Sequence, residues 1–114
     1  MNPKRHILVL EEDPLIRPLL ERWLREASYE IAEPMAGGEN PALVIANIPD
    51  PHAAEALVSS LREYSAPVLL LSARFHSGLA GSMEAARRLG VKKVLPKPFS
   101  RKQLLSAVRE ALGA

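Results

Sequence analysis

A chain of 114 residues, 47% of them hydrophobic and 25% charged, has the size and balance of one soluble domain spanning 1–114, able to bury a core without a disulfide or metal staple. It holds no cysteine, which excludes a disulfide framework and a thiolate zinc site. With 15 Lys and Arg against 13 Asp and Glu the net charge is only +2, a weak pointer to nucleic acid; neither a signal-peptide core nor a membrane-length apolar run is present, which fits a cytoplasmic protein.

The apolar run His6–Leu10, closed by Glu11, Glu12 and Asp13, is read as a buried strand. Asp13 and Pro14 start a helix: a capping carboxylate, then proline at the first helical position, where its missing N–H costs nothing. Leu15, Ile16, Leu19, Leu20, Trp23, Leu24 and Ala27 recur at helical spacing and are expected to make one core-facing stripe. Pro18, one turn in, should kink or loosen the start. Residues 29–33 fit a second strand. Residues 34–41, with Gly37, Gly38 and a proline at each end, read as a loop. The apolar run 42–48, interrupted by Asn47, is a central strand with Asn47 near its carboxyl end.

Ala54, Leu57, Val58 and Leu61 mark a helix ending near Tyr64. Residues 68–71 make a fourth strand with Ser72 at its end, and residues 74–82 are loop-like. Met83, Ala86 and Leu89 suggest a short helix stopped by Gly90. Residues 91–95 form a short fifth strand running into Pro96, Lys97, Pro98 and Phe99. Ser100 with Gln103 is a capping box ahead of a last apolar stripe, Leu104, Leu105, Val108, Ala111 and Leu112. Alternating strands and helices predict a parallel sheet covered on both faces, the doubly wound α/β arrangement. Ligands in such folds sit beyond the carboxyl ends of the strands, where Glu11, Glu12, Asn47, Ser72 and Lys97 collect.

Those residues, in that order and over essentially the whole chain, resemble the receiver domain of two-component response regulators. The run from Ile7 to Pro14 is similar to the family's first strand with its acidic pair. The run from Pro41 to Asn47 resembles the third strand, which in the family ends in the phosphate-accepting aspartate. The run from Pro67 to Ala73 resembles the fourth strand with its Thr or Ser, and Leu95-Pro96-Lys97-Pro98-Phe99 the lysine signature after the fifth. The resemblance implies a flavodoxin-like, five-stranded parallel sheet in the order 2-1-3-4-5 and a cis Lys97–Pro98 bond. It also implies the family's chemistry: carboxylates holding Mg²⁺, with the ion and the lysine neutralising phosphoryl oxygens.

Several departures change that expectation. The position matching the acceptor is Asn47, and a carboxamide cannot form the acyl phosphate. The aromatic residue three positions before the family's lysine is Val94 here. Asn47, Ser72 and Lys97 are therefore expected to form a degenerate phospho-acceptor site beside an acidic pocket of Glu11 and Glu12. Lys97 neutralises the two carboxylates; no cofactor is required, and Mg²⁺ binds weakly at most. Asp50, beyond the strand end between two prolines, is a poor substitute acceptor. The loop at 34–41 stands where the family has its second helix, so the sheet near Ile31 and Val44 should expose an apolar patch for a second copy or a partner. A second candidate interface is the basic edge of Arg87, Arg88, Lys92 and Lys93 with Val94.

Other features read as ordinary structure. His6, His52 and His76 share no metal spacing, Trp23 lies on the core stripe of the first helix, and no phosphate loop, nucleophile elbow or zinc-helix motif occurs. The sequence is thus read as a stand-alone, non-enzymatic receiver-like signalling domain, acting by phosphorylation-independent contact with a signalling kinase, a downstream regulator or itself. No output domain is expected within the sequence after the last helix, no membrane partner is expected, and nucleic acid is the less favoured partner. The alternatives are a working Mg²⁺-dependent phospho-acceptor and a nucleic-acid or nucleotide-binding module.

Overall fold

Three nearly uninterrupted apolar runs become the inner strands of a sheet, as expected of strands buried on both faces. The computed structural model describes residues 6–32, 41–48, 54–72, 86–87 and 90–113. Its elements are β1 (His6–Leu10), α1 (Ile16–Glu26), β2 (Glu30–Ile31), β3 (Leu43–Asn47), α2 (Ala54–Leu61) with a 3₁₀ turn at Arg62–Tyr64, β4 (Val68–Ser72), β5 (Lys93–Pro96) and α3 (Arg101–Leu112). All strand pairings are parallel, in the order β2-β1-β3-β4-β5. This is the doubly wound, flavodoxin-like order. The shorter strands, β2 and β5, take the edges.

Side-chain alternation divides the core into two layers. On one face Ile7, Val9, Leu43, Ile45, Leu69, Leu71 and Leu95 pack with Leu20 and Leu24 of α1 and with Leu104, Ala107, Val108 and Ala111 of α3. On the other face Leu8, Val44, Ala46, Val68, Leu70 and Val94 pack with Val58 and Leu61 of α2 and with Ala86. Among the described residues no helix is long and apolar enough to cross a membrane.

The helix ends follow local chemistry. Asp13 Oδ1 accepts from the N–H groups of Leu15 (2.8 Å) and Ile16 (3.3 Å), so it serves as the cap. Arg17 N–H reaches Asp13 O at 3.0 Å, but Pro18 has no N–H to continue the ladder, and regular α1 begins only at Ile16. Its far end is a Schellman turn: Tyr29 N–H bonds Leu24 O (3.0 Å), Ser28 N–H bonds Arg25 O (2.9 Å), and Ser28 has φ +72°. The same turn recurs where Val91 N–H bonds Ala86 O (3.0 Å) and Gly90 takes φ +75°. Residues 86 and 87 are helical, and the Gly90 turn closes on their carbonyls. In α3 both capping-box bonds form, Gln103 N–H to Ser100 Oγ at 3.1 Å and Ser100 N–H to Gln103 Oε1 at 2.8 Å.

Some expectations need correction. The core-facing stripe is narrower than its apolar residues: Leu15, just ahead of α1, is 80% exposed and Leu19 38%. The patch expected near Ile31 and Val44 is not formed by those residues. Val44 is fully buried and Ile31 half-buried, and they belong to opposite layers. The register explains this: Ile7 pairs with both Ile31 and Leu43, so Val44, one residue on, points the other way. No helix lies between β2 and β3 among the described residues; of the loop expected at 34–41, residues 34–40 lie outside them and only Pro41 within. The loop at 74–82, most of the helix around Met83 and Leu89, and Asp50 also fall outside.

Candidate functional site

Beyond the carboxyl ends of four adjacent strands the backbone register brings polar residues together. Leu10 pairs with Ala46, so Glu11 and Asn47 follow as neighbours on β1 and β3. Asn47 pairs with Leu71 and Ser72 with Pro96, and Lys97 N–H donates to Ser72 O at 3.0 Å. The peptide bond after Lys97 is cis, as the resemblance implied.

Two side chains meet here in an ion pair. Lys97 Nζ lies 3.1 Å from Glu11 Oε1, with the Glu11 side chain 2% and the Lys97 side chain 23% exposed. The other carboxylate oxygen, Oε2, accepts from Asp13 N–H at 3.2 Å. A buried carboxylate is costly without such compensation; here a cation and a backbone N–H share it. β3 and β4 separate β1 from β5 in the sheet. The ion pair therefore spans the carboxyl ends of those two strands, including the end of β3 where half-buried Asn47 sits. Ser72 is fully buried at the end of β4.

The acidic pocket is smaller than expected. Glu12 is exposed, and Lys97 pairs with Glu11 alone among the described residues. A residue following an inward-facing one in extended chain turns to the opposite side. The donor set fits Mg²⁺ poorly. That ion takes oxygen ligands in near-octahedral geometry, whereas both oxygens of Glu11 are engaged by Lys97 and Asp13 and position 47 offers an amide in place of a charge. Among the described residues no three acidic or histidine side chains are grouped to hold a metal.

The basic edge is partly internal. Arg87 and Lys92 are exposed, but Lys93 Nζ is 3.1 Å from Glu110 Oε1, and Val94 is 1% exposed inside the α2 layer. Val94 supports this edge from beneath and cannot itself meet a partner. Arg88 lies outside the described residues. Among the described residues the exposed large apolar side chains are Leu15, just ahead of α1, and Leu19 in its first turn. The helical stripe gave no warning of this. The signal that could have found it is the width of the stripe, broader than one sheet-facing side of a helix can bury.

Comparison with known proteins gives a consistent fold. No family model matches the chain. The transcriptional regulatory protein PdtaR of Mycobacterium tuberculosis is 31% identical over 120 residues, covering 96% of this chain and 57% of that protein. The chain thus spans little more than half the length of the curated relatives it matches. A response regulator from Thermotoga maritima superposes with a TM-score of 0.76 at 17% identity, over 98% of this chain and 100% of that one. The receiver domain of sensor histidine kinase PA1611 from Pseudomonas aeruginosa PAO1, with a magnesium ion coordinated in its active site cleft, gives 0.72 at 20% identity, over 98% and 100%. The fold is that of response-regulator receiver domains; structural similarity to them is strong and sequence similarity weak.

Proposed function

We propose that this chain is a receiver-type signalling domain that works through protein contacts and is not phosphorylated on aspartate. The observation that carries the reading is the Glu11–Lys97 ion pair across the end of β3, where the side chain is the amide of Asn47. Phosphoryl transfer to a receiver needs a carboxylate nucleophile, and its developing charge needs a free cation or metal. Asn47 supplies no nucleophile, its amide lone pair being delocalised. Lys97 already balances Glu11. Asp13, at the same end of the sheet, is occupied as the cap of α1 through Leu15 and Ile16 N–H. The pocket is then an internally neutral plug that holds one conformation, with no catalysis of its own and no need of Mg²⁺.

A contact-based role needs a contact surface, and Leu15 with Leu19 supplies an apolar one at the rim of the plug. A signalling kinase or a downstream regulator is the partner class this reading favours, in a cytoplasmic setting. The test is incubation with acetyl phosphate and Mg²⁺, followed by intact mass. The unmodified mass is the expected result. A base-labile adduct of about 80 Da, one phosphoryl group, would overturn the reading.

A further inference from the structure

A groove of about 560 Å³ opens between the C-terminal end of α1, the turn into β2 and the outer side of α3. Its walls are Ala27, Tyr29, Arg101, Lys102, Leu105 and Arg109, and it shares no residue with the Glu11–Lys97 site. Leu105 and Tyr29 are half-buried against the α1/α3 core layer and form an apolar floor with Ala27. Arg101, Lys102 and Arg109 are exposed around it. Lys102 and Arg109 make no ion pair among the described residues. Arg101 does: Glu26 Oε1 sits 3.4 Å from its guanidinium, with both side chains largely in solvent. A carboxylate thus already seats on one rim cation, leaving two for groups from outside.

We infer that this groove docks an acidic amphipathic helix of a partner protein. Arg101, Leu105 and Arg109 follow one another at four-residue intervals, a single row along α3, with the two arginines about 12 Å apart. An incoming helix repeats its own face on the same spacing. Its apolar residues meet Leu105, Tyr29 and Ala27 while its acids, two turns apart, meet Lys102 and Arg109. Single-stranded nucleic acid suits the surface less well. Base stacking needs open aromatic faces, whereas the floor offers one tyrosine that is itself half-buried, and the Glu26 carboxylate on the rim repels phosphate. A small anion would find too little enclosure, since ligand sites of that kind surround most of the ligand.

The test uses the ¹⁵N-labelled full chain, titrated with a synthetic peptide of about four helical turns carrying leucines at helical spacing and glutamates elsewhere. A scrambled peptide of equal composition and an oligothymidine are the comparison probes. Amide shifts are expected to cluster at Tyr29, Leu105 and Arg109. Lys102→Glu with Arg109→Glu should weaken binding at least about tenfold while leaving the remaining spectrum in place. The inference is overturned if no shift appears at about 1 mM peptide, if shifts fall elsewhere, if the scrambled peptide binds equally, or if the oligothymidine binds more tightly at the same residues.

Discussion

Lys97 follows Glu11 by 86 positions, yet its ammonium lies 3.1 Å from the Glu11 carboxylate. The two meet across two intervening strands of the sheet. Because Glu11 is almost wholly buried, the pair is asymmetric: losing the cation strands a charge in the interior, whereas losing both charges strands nothing.

That asymmetry sets the first expectation. Lys97→Met should lower the unfolding free energy by about 3 kcal/mol, read as a lower urea midpoint with an unchanged slope. The double variant Glu11→Gln with Lys97→Met should recover most of the loss, since Gln keeps an oxygen for Asp13 N–H. Equal instability of single and double variants would mean that packing of the Lys97 stem, and not its charge, holds the site.

Asn47→Asp adds a carboxylate beside the existing pair. Titration calorimetry should then register Mg²⁺ binding at least about tenfold tighter than in the parent chain, an increment of the size one added charge supplies near a surface. Without Mg²⁺ the variant should be slightly less stable than the parent, because like charges now face one another. Unchanged metal affinity would indicate a pocket remodelled beyond position 47.

Leu15 and Leu24 are both leucines of the first helical region with opposite environments, 80% and 0% exposed. Leu24→Ala should cost about 2–5 kcal/mol. Leu15→Ala should stay within about 0.5 kcal/mol of the parent in stability while weakening capture of a cognate kinase or regulator. Thermal unfolding and a pull-down between purified components separate the two effects.

The two Schellman turns give a matched pair. Gly90 and Ser28 both hold left-handed backbone, φ +75° and +72°, but only one is glycine. Gly90→Ala should destabilise by about 1 kcal/mol, although nothing within 4 Å obstructs a Cβ there, because the penalty is torsional. Ser28→Gly should gain a similar amount. Chemical denaturation would refute the account if both changes moved in the same direction.

The inner strands and the capping box were legible because each rests on local chemistry: apolar runs for β1, β3 and β4, and Ser100 paired with Gln103; the order of the strands is non-local and came only with the family resemblance. The cluster of polar strand ends followed from the rule that such sites lie past the carboxyl ends. What sequence could not deliver was relative phase. Alternation is plain within a strand, but whether Ile31 and Val44 share a face depends on inter-strand register, and the pairing of both Ile31 and Leu43 with Ile7 decided against it. The same kind of choice assigns Glu11 inward and Glu12 outward. The exposure of Leu15 was hidden for another reason: helical spacing reports which residues are aligned, while the neighbouring layer decides how many of them it can cover.

Parallel pairing also governs the order in which the molecule can be made. Each neighbour in this sheet is reached by a crossover, never by a hairpin, so contacts between distant residues must close before they reward the chain, which favours slow folding. During synthesis the first strand emerges with its acidic end long before residue 97 exists. Until the fifth strand docks, Glu11 lacks the Lys97 ammonium, and burying it is unfavourable. A chain that ends before Lys97 would lack the ammonium that Glu11 meets here, and its first strand tip would stay open and hydrated.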